Sequence, residues 1–453
     1  MNRQKSEINM TEGPFFKKIV KFSIPLIFTG LLQSFYNAAD LIVVGKFEGD
    51  IALAAVGSTG SLTNLVVGLF MGLATGAGVC VAHHIGAKEQ KEVSGVLHTS
   101  ILLSVILGII IAIGGFIFAP DMLHLMGNPD DVIELSTLYI RIIFLGMPGS
   151  LLYNYTASML RSTGDTKHPL IFLSVSGIAN VVLNLIFVAV FHMGVAGVAA
   201  ATIASQYMSA IMMMVYLHRI DGYMHFSFGK LRIDKKKVAK ILYIGLPSGL
   251  QGSLFSLSNV LIQSSINSFG SAVMSGAAAA SNIEGFVYVA LNAFYHASLT
   301  FVGQNMGAKK YVNIKKVVSC SVFTVIGFGI VLQGAILLFS RQFIGLYATG
   351  EEAVNAGMEK LFINLSLYFL CGIMEVFSGA LRGMGRSITS MLVSLSGACL
   401  FRIVWLETVF KIFNTPACIY ISYPCSWGLT SLVSMTFLIL AVRKELKRQN
   451  TLS

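Results

Sequence analysis

The chain has 453 residues and a mean hydropathy of +0.75, and only 12% of its residues are charged. A soluble globular protein devotes about a quarter of its residues to charged side chains, so this composition excludes a surface that faces water throughout. One bilayer crossing needs roughly 20 apolar residues, and the many apolar stretches of at least this length identify an integral membrane protein.

Apolar stretches between charged or Pro/Gly-rich breaks predict an all-α protein with twelve transmembrane helices. In chain order, the predicted spans are 17–45, 51–83, 94–119, 132–160, 167–191, 195–219, 237–267, 272–304, 315–340, 354–381, 388–411 and 419–442. The longest of these exceed one bilayer thickness, so we expect them to be tilted or kinked.

Basic residues concentrate in alternate segments between the predicted spans. The densest basic run is 219–240, whereas the intervening segments carry acids such as Glu351 and Glu352 and few bases, among them Lys360. Because short basic loops stay on the cytoplasmic side, this pattern predicts a multi-pass protein of the plasma membrane with both termini in the cytoplasm. The formal net charge of +11 follows from this topology and does not indicate a nucleic-acid partner.

An internal repeat divides the chain into two halves. The matching residues are Pro25 and Pro247 (222 apart), Lys88 and Lys309 (221), Arg161 and Arg382 (221), and Gly177 and Gly397 (220). Each half contains six predicted spans, so the halves share one orientation and form a parallel repeat about a pseudo-two-fold axis along the membrane normal. We predict an N-terminal lobe at 1–220, a cytoplasmic linker at 221–236 and a C-terminal lobe at 237–453.

Charged residues inside a membrane are costly, so they are candidates for function. Away from the span ends, the sequence places four of them inside predicted helices: Asp40, Glu284, Glu375 and Arg402. Tyr36 and Asn37 share a helix face with Asp40, and Tyr288 lies one turn after Glu284. The predicted residues of a central substrate cleft are Tyr36, Asn37, Glu284, Tyr288, Glu375 and Arg402.

Asp40 has oxygen-bearing neighbours at a similar predicted depth. Asn180 and Asn184 lie four residues apart and therefore on one helix face, and Thr202 descends to the same level. One carboxylate with amide and hydroxyl oxygens suits a hard cation such as Na⁺, and a buried aspartate equally suits a proton. We predict a site for Na⁺ or H⁺ at these four residues. The alternative is that the amides and Thr202 only join helices by hydrogen bonds.

The second half lacks this cluster and carries Glu284, Glu375 and Arg402 instead. An ion pair between an acid and Arg402 would be a structural feature. The alternative is a second protonation site or a substrate site. Small residues recur at four-residue spacing, which predicts close helix packing. They are Gly68, Gly72 and Gly76 in the second span and Gly245 and Gly249 in the seventh.

The motifs of several other function classes are missing from the sequence. There is no Walker A motif, HExxH or GxSxG, so we expect neither ATP as the energy source nor a cofactor. A membrane-embedded enzyme would need a catalytic dyad or a set of metal ligands, and a channel would need a continuous polar stripe. We therefore expect a transporter without enzymatic activity.

The chain resembles the multidrug and toxic compound extrusion (MATE) family over essentially its whole length. The motifs that carry the resemblance are Asn37-Ala38-Ala39-Asp40, Ile85-Gly86-Ala87-Lys88, Leu160-Arg161-Ser162-Thr163-Gly164-Asp165, Val302-Gly303-Gln304-Asn305-Met306-Gly307-Ala308 and Leu381-Arg382-Gly383-Met384-Gly385. The resemblance implies twelve helices in two bundles and export of cationic or amphipathic compounds against a Na⁺ or H⁺ gradient. It also implies a cation site that matches Asp40, Asn180, Asn184 and Thr202.

The chain departs from the family pattern at three positions. Some members have a second carboxylate where this chain has Asn184, and others use acids in the seventh and tenth helices, near Phe255 and Cys371 here. Glu284 and Glu375 are candidate substitutes. We expect a monomeric, cation-coupled antiporter that exports small cationic or amphipathic compounds by alternating access. The alternatives are a flippase for lipid-linked oligosaccharides from the same superfamily and, from a different class, a membrane-embedded enzyme.

Overall fold

The computed structural model describes residues 8–126 and 129–452, which are helical and contain no strand. The first half contains α1 (Phe15–Phe47), α2 (Gly49–Gly86), α3 (Gln90–Leu125), α4 (Asp130–Leu145), α5 (Met147–Ser162), α6 (Lys167–Asn184), a π-helical segment (Leu185–Val190), α7 (Gly194–Arg219), a 3₁₀ turn (Phe228–Lys230) and α8 (Lys235–Asn267). The second half contains α9 (Ser271–Gly307), α10 (Tyr311–Leu338), α11 (Ser340–Gly345), α12 (Glu351–Ser366), α13 (Phe369–Gly383), α14 (Ser387–Ser394), a π-helical segment (Leu395–Leu400), α15 (Phe401–Glu407), α16 (Val409–Ile412) and α17 (Pro416–Leu452). The outermost ends of the predicted lobes lie outside the described residues.

In the described residues, eight helical segments are long and apolar enough to cross a membrane, or ten if each of two bent pairs counts as one span. The bent pairs are α4 with α5 (47°) and α12 with α13 (48°), so the predicted spans 132–160 and 354–381 are each divided by a bend. Helices α1 and α8 have 33 residues each but are not among the ten. Twelve spans therefore stay a prediction.

The chain divides into two compact units whose borders differ from the predicted lobes. Unit 1 contains Phe28–Gly249, and unit 2 contains Asn9–Ile27 and the chain from Leu250 onward. The first part of α1 thus belongs to unit 2, and α8 belongs to unit 1 up to Gly249. Each border follows closely after a repeated proline, Pro25 or Pro247, which removes a hydrogen bond from its helix.

The internal repeat extends to unusual backbone conformations. Left-handed backbone is uncommon at residues other than glycine, yet Lys88 (φ 61°) and Lys309 (φ 56°), which are equivalent in the repeat, both adopt it. Two equivalent pairs of glycines do likewise. They are Gly49 (φ 81°) with Gly270 (φ 95°), and Gly164 (φ 98°) with Gly385 (φ 78°). The turns of the two halves therefore share a local geometry as well as a sequence pattern.

The segment predicted as a linker folds against α3 within unit 1. Thr99 Oγ1 donates a hydrogen bond to the carbonyl oxygen of Arg232 over 3.1 Å, and the ring of Phe226 is buried. Lys237, at the start of α8, forms an ion pair with Glu92 of α3 over 2.7 Å. These contacts explain why the basic segment and the start of α8 belong to unit 1.

Close helix packing at small residues is confirmed within unit 1, except at one position. A Cβ atom added to Gly72 would lie 2.5 Å from the Cα atom of Gly249, and one added to Gly76 would lie 2.8 Å from the backbone nitrogen of Gly245. Such distances leave no room for a side chain between α2 and α8. Gly68 is the exception, because its added Cβ would meet nothing within 4 Å.

Candidate functional site

Asp40 lies in α1, where its side chain is 9% exposed and faces α6 and α7. Its Oδ1 accepts a hydrogen bond from Asn184 Nδ2 over 2.5 Å. Thr202 Oγ1 lies 3.2 Å from Asp40 Oδ2 and 3.0 Å from the carbonyl oxygen of Val198, and it can donate to either. The structure therefore places a buried carboxylate between two helices that supply neutral polar groups.

Asn180 completes this group. Its Nδ2 lies 3.4 Å from Thr202 Oγ1, and its Oδ1 lies 3.4 Å from Asn184 Nδ2. The Oδ1 of Asn184 is buried and has no hydrogen-bond partner in the described residues. The structure thus brings all four predicted residues together, while their role in cation coupling stays a prediction.

The helix that carries the two asparagines changes its hydrogen-bond pattern at this point. The α-helical part of α6 ends at Asn184, and the π-helical segment Leu185–Val190 follows without a break. Short π-helical segments occur frequently at functional sites, because the extra residue re-aims the side chains around it. The sequence contains no proline here that would have predicted the change.

The other predicted residues of α1 lie outside the hydrogen-bonded group. The hydroxyl of Tyr36 donates to the carbonyl oxygen of Ser174 over 3.3 Å, and its ring occupies the space where Gly177 lacks a side chain. Asn37 is exposed, and its side chain forms no hydrogen bond with the described residues. Tyr139 of α4, which the sequence analysis missed, is buried close enough to Asp40 to interact with its charge.

In unit 2, Glu284 of α9 pairs with Lys360, which the charge pattern of the sequence counted among the few bases of the outward segments. It is 3% exposed within α12, with its Nζ 3.8 Å from Glu284 Oε2. The same Nζ donates to the hydroxyl of Ser281 and to the carbonyl oxygen of Ala277. Asn364 Nδ2 donates to Glu284 Oε1 over 2.9 Å. Glu284 thus belongs to a buried ion pair.

Arg402 has no acidic partner within 4.0 Å in the described residues, so of the two alternatives at this residue the ion pair is not the one that the structure contains. It is 3% exposed, and no carboxylate oxygen in the described residues lies within 4.0 Å of it. Its Nε donates to Ser426 Oγ over 2.8 Å. The guanidinium carbon lies 4.1 Å from the ring centre of Tyr423 and 5.9 Å from that of Trp427. The physical reason is that Lys360 already neutralises Glu284.

Glu375 belongs to a separate polar group in unit 2. Its carboxylate interacts with the hydroxyl of Tyr288 and with the charge of Arg382. Arg382 itself is buried, and its Nη1 and Nη2 donate to Tyr295 and Gln251, each over 2.7 Å. The six predicted cleft residues therefore fall into separate groups: Tyr36 and Asn37 in unit 1, Glu284 with Lys360, Glu375 with Tyr288, and Arg402 with two aromatic rings.

The chemistry available at Asp40 is that of a single acid surrounded by neutral oxygens. In the described part of the chain, no group of three or more His, Cys, Asp or Glu side chains is arranged to hold a metal ion. A transition-metal centre therefore has no support there. A monovalent hard cation needs fewer charged ligands, and the Asp40 group offers one carboxylate, two amides and one hydroxyl.

A family model described as MatE matches the chain twice, at residues 25–186 and 247–406. The two matches begin at Pro25 and Pro247, which confirms the internal repeat. They cover well over half of the chain and include Asp40, Asn180 and Asn184 in the first match, and Glu284, Lys360 and Arg402 in the second.

The chain is similar to known proteins that are named as multidrug resistance or multidrug export proteins. It is 29% identical over 381 residues to the probable multidrug resistance protein YoeA of Bacillus subtilis (strain 168), covering 83% of this chain and 82% of the relative. It is 21% identical over 397 residues to the multidrug export protein MepA of Staphylococcus aureus (strain NCTC 8325 / PS 47), covering 87% and 88%.

Solved structures share the fold. An outward-facing multidrug resistance MATE transporter of the MOP superfamily matches with a TM-score of 0.91 and 21% identity, over 97% of this chain and 99% of that chain. A MATE structure in the bent conformation matches with a TM-score of 0.90 and 22% identity, over 97% and 98%. Because one family model matches both halves, and because the fold agrees along nearly the whole length, the chain belongs to the MATE family of multidrug efflux transporters.

Proposed function

We propose that this transporter is a cation-coupled antiporter in which Na⁺ or H⁺ binds at Asp40 and drives the export of small amphipathic organic compounds by alternating access. The observation that carries the proposal is the buried carboxylate of Asp40 beside the unpartnered Oδ1 of Asn184. A buried charge without a function is costly in a membrane, and a buried amide oxygen without a partner adds to that cost.

A cation at this site would satisfy both groups at once. Asp40 supplies the negative charge, and the oxygens of Asn180, Asn184 and Thr202 supply further ligands of the kind that hard cations prefer. This set of oxygens favours Na⁺, whereas a proton requires only the carboxylate. A bound ion drives transport only if the two states of the transporter bind it with different affinities. A site built from three helices provides such a difference when one helix moves against the others.

The proposal is tested in everted membrane vesicles that contain the wild-type protein. Ethidium serves as a cationic amphipathic probe and anilinonaphthalene sulfonate as an anionic one, and each is offered under a Na⁺ gradient, a proton gradient or none. We expect at least one probe to accumulate under one of the two gradients and not without a gradient. Vesicles that lack the protein are the control. If neither gradient drives either probe, the antiport proposal is contradicted, and the flippase alternative gains support.

A further inference from the structure

Arg402 is a buried cation whose hydrogen-bonding capacity is largely unused. Its Nε donates to Ser426 Oγ over 2.8 Å, and this is the one hydrogen bond of the guanidinium within the described residues. The two Nη groups form none there. The rings of Tyr423 and Trp427 lie against the guanidinium at 4.1 Å and 5.9 Å. Arginine presents a planar fork of N–H donors, so both Nη groups of Arg402 remain available to a ligand.

The acids of unit 2 are already engaged elsewhere. Glu284 has Lys360 as its nearer cation at 3.8 Å and interacts with Arg402 only at longer range. Glu375 is close to the charge of Arg382. These groups therefore comprise three cations and two acids, and Lys360 lies nearer to Glu284 than Arg402 does. Cation–π contacts and one hydrogen bond offset only part of the cost of removing a guanidinium from water.

The position of Arg402 in the repeat corresponds to the cation site of unit 1. At the spacing of 220 residues that relates the nearby Gly177 and Gly397, Arg402 is equivalent to Val182, which lies between the two asparagines of that site. Unit 1 therefore places an acid at this level of the repeat, and unit 2 places a base.

We propose that Arg402, Tyr423 and Trp427 form a binding site for the anionic group of an amphipathic molecule, either a carboxylate or a phosphate. The fork of Nη donors binds such groups through two parallel hydrogen bonds. The aromatic rings pack against the adjoining apolar part of the same molecule. Two sources share this chemistry, namely an exported compound and a phospholipid of the bilayer. If the occupant is the exported compound, the site assigns a negative charge to one group of the substrate, and this assignment rests on the proposed function. The anion site itself does not depend on it.

Trp427 provides a direct optical probe of this site. The chain has two tryptophans, Trp405 and Trp427, so Trp405→Phe leaves a single emitter within 5.9 Å of the Arg402 guanidinium. The Trp405→Phe protein is placed in nanodiscs of phosphatidylcholine. Decyl phosphate and decyltrimethylammonium, which have the same chain and opposite charge, are titrated while Trp427 emission is recorded.

We expect decyl phosphate to change Trp427 emission saturably and decyltrimethylammonium to have little effect. Arg402→Gln in the same background should raise the half-saturating concentration of decyl phosphate about tenfold or more, because the charged hydrogen bonds are lost. Arg402→Lys should retain part of the response. Equal responses to the two amphiphiles would overturn the proposal, and so would an unchanged response in Arg402→Gln. The charge comparison needs no variant at Arg402, so it stands even if that variant fails to fold.

Nanodiscs that contain phosphatidylglycerol distinguish the two sources. If the anionic lipid alone produces the emission change and decyl phosphate adds nothing, the occupant is a bilayer phospholipid. If decyl phosphate still produces its full change, the site selects a soluble amphiphile. Both results support an anion site. The measurement uses neither transport nor an ion gradient, so a failure of cation coupling at Asp40 leaves its outcome intact, and its own failure leaves that coupling untouched.

Discussion

Asn184 links the charge of Asp40 to the rest of its site. Its Nδ2 donates a hydrogen bond to the carboxylate, and its Oδ1 has no hydrogen-bond partner in the described part of the chain. Asn184→Ala removes both atoms, so we expect the half-saturating concentration of the coupling ion to rise about tenfold, the effect of losing one hydrogen bond to a charged group. The measurement is the ion dependence of transport in proteoliposomes. Asn154→Ala is the matched control, because that amide donates to the carbonyl oxygen of Ser150 in its own helix. An equal effect in both variants would argue against a special role for Asn184.

Lys360 is expected to matter for stability through Glu284. Replacing one partner of a buried ion pair leaves an uncompensated charge, which costs about 3–5 kcal/mol. Lys360→Met should therefore lower the thermal unfolding temperature markedly in detergent. The double variant Lys360→Met/Glu284→Gln removes both charges and should recover most of the loss. A double variant less stable than Lys360→Met would contradict the pairing at 3.8 Å.

Residue spacing predicted the unit 1 group better than the unit 2 groups. Asn180 and Asn184 share a face because they are four residues apart, and this rule needs no tertiary information. The pairing of Lys360 with Glu284 was not predicted, because Lys360 lies near the start of the predicted span 354–381 and no local spacing relates it to α9. The partner of Arg402 depends on which helices pack together, and the sequence does not encode that as a local spacing.

At the scale of helices, α2 and α8 approach each other closely through their backbones within unit 1. A Cβ at Gly72 would meet the Gly249 Cα at 2.5 Å, and backbone cannot rotate away as a side chain does. We expect Gly72→Ala to destabilise the protein by about 1–3 kcal/mol, as overpacking does elsewhere. Gly68→Ala is the matched control, since it adds the same methyl group to the same helix in open space. Thermal unfolding of both variants in detergent tests this, and equal losses would contradict it.

The bends of the helices were only partly readable from the sequence. The first falls at Gly146 between α4 and α5, two residues before Pro148, and a proline there is a visible signal. The second falls between α12 and α13 at Leu367 and Tyr368, where neither proline nor glycine occurs. Gly146 and Leu367 are equivalent positions of the repeat, so the repeat would have transferred the first bend to the second half.

At the scale of the whole molecule, the two halves share backbone geometry and differ in buried charge. Lys88 and Lys309 adopt the same left-handed conformation, whereas Asp40 and Arg402 give the two units opposite charges. The repeat was predictable because turns need particular residues at fixed positions. The sequence predicted which charged residues lie inside helices. It did not predict which of them form pairs, because helix packing decides the pairing.

The membrane topology is a prediction at this same scale. Basic segments are expected in the cytoplasm, so green fluorescent protein fused after Arg232 or at the C-terminus should fluoresce, and alkaline phosphatase should be inactive there. Phosphatase fused after Gly350 should be active, because that segment is expected outside. An active phosphatase after Arg232 would contradict the predicted orientation.

The most direct test of cation coupling at Asp40 compares two modes of transport in one variant. Asp40→Asn keeps the size of the side chain and removes its charge, so the site no longer holds a cation or releases a proton. With the probe that the wild-type protein accumulates, we expect Asp40→Asn proteoliposomes to lose gradient-driven accumulation while they still exchange labelled for unlabelled probe without a gradient. Gradient-driven accumulation at the wild-type rate in Asp40→Asn would contradict the account.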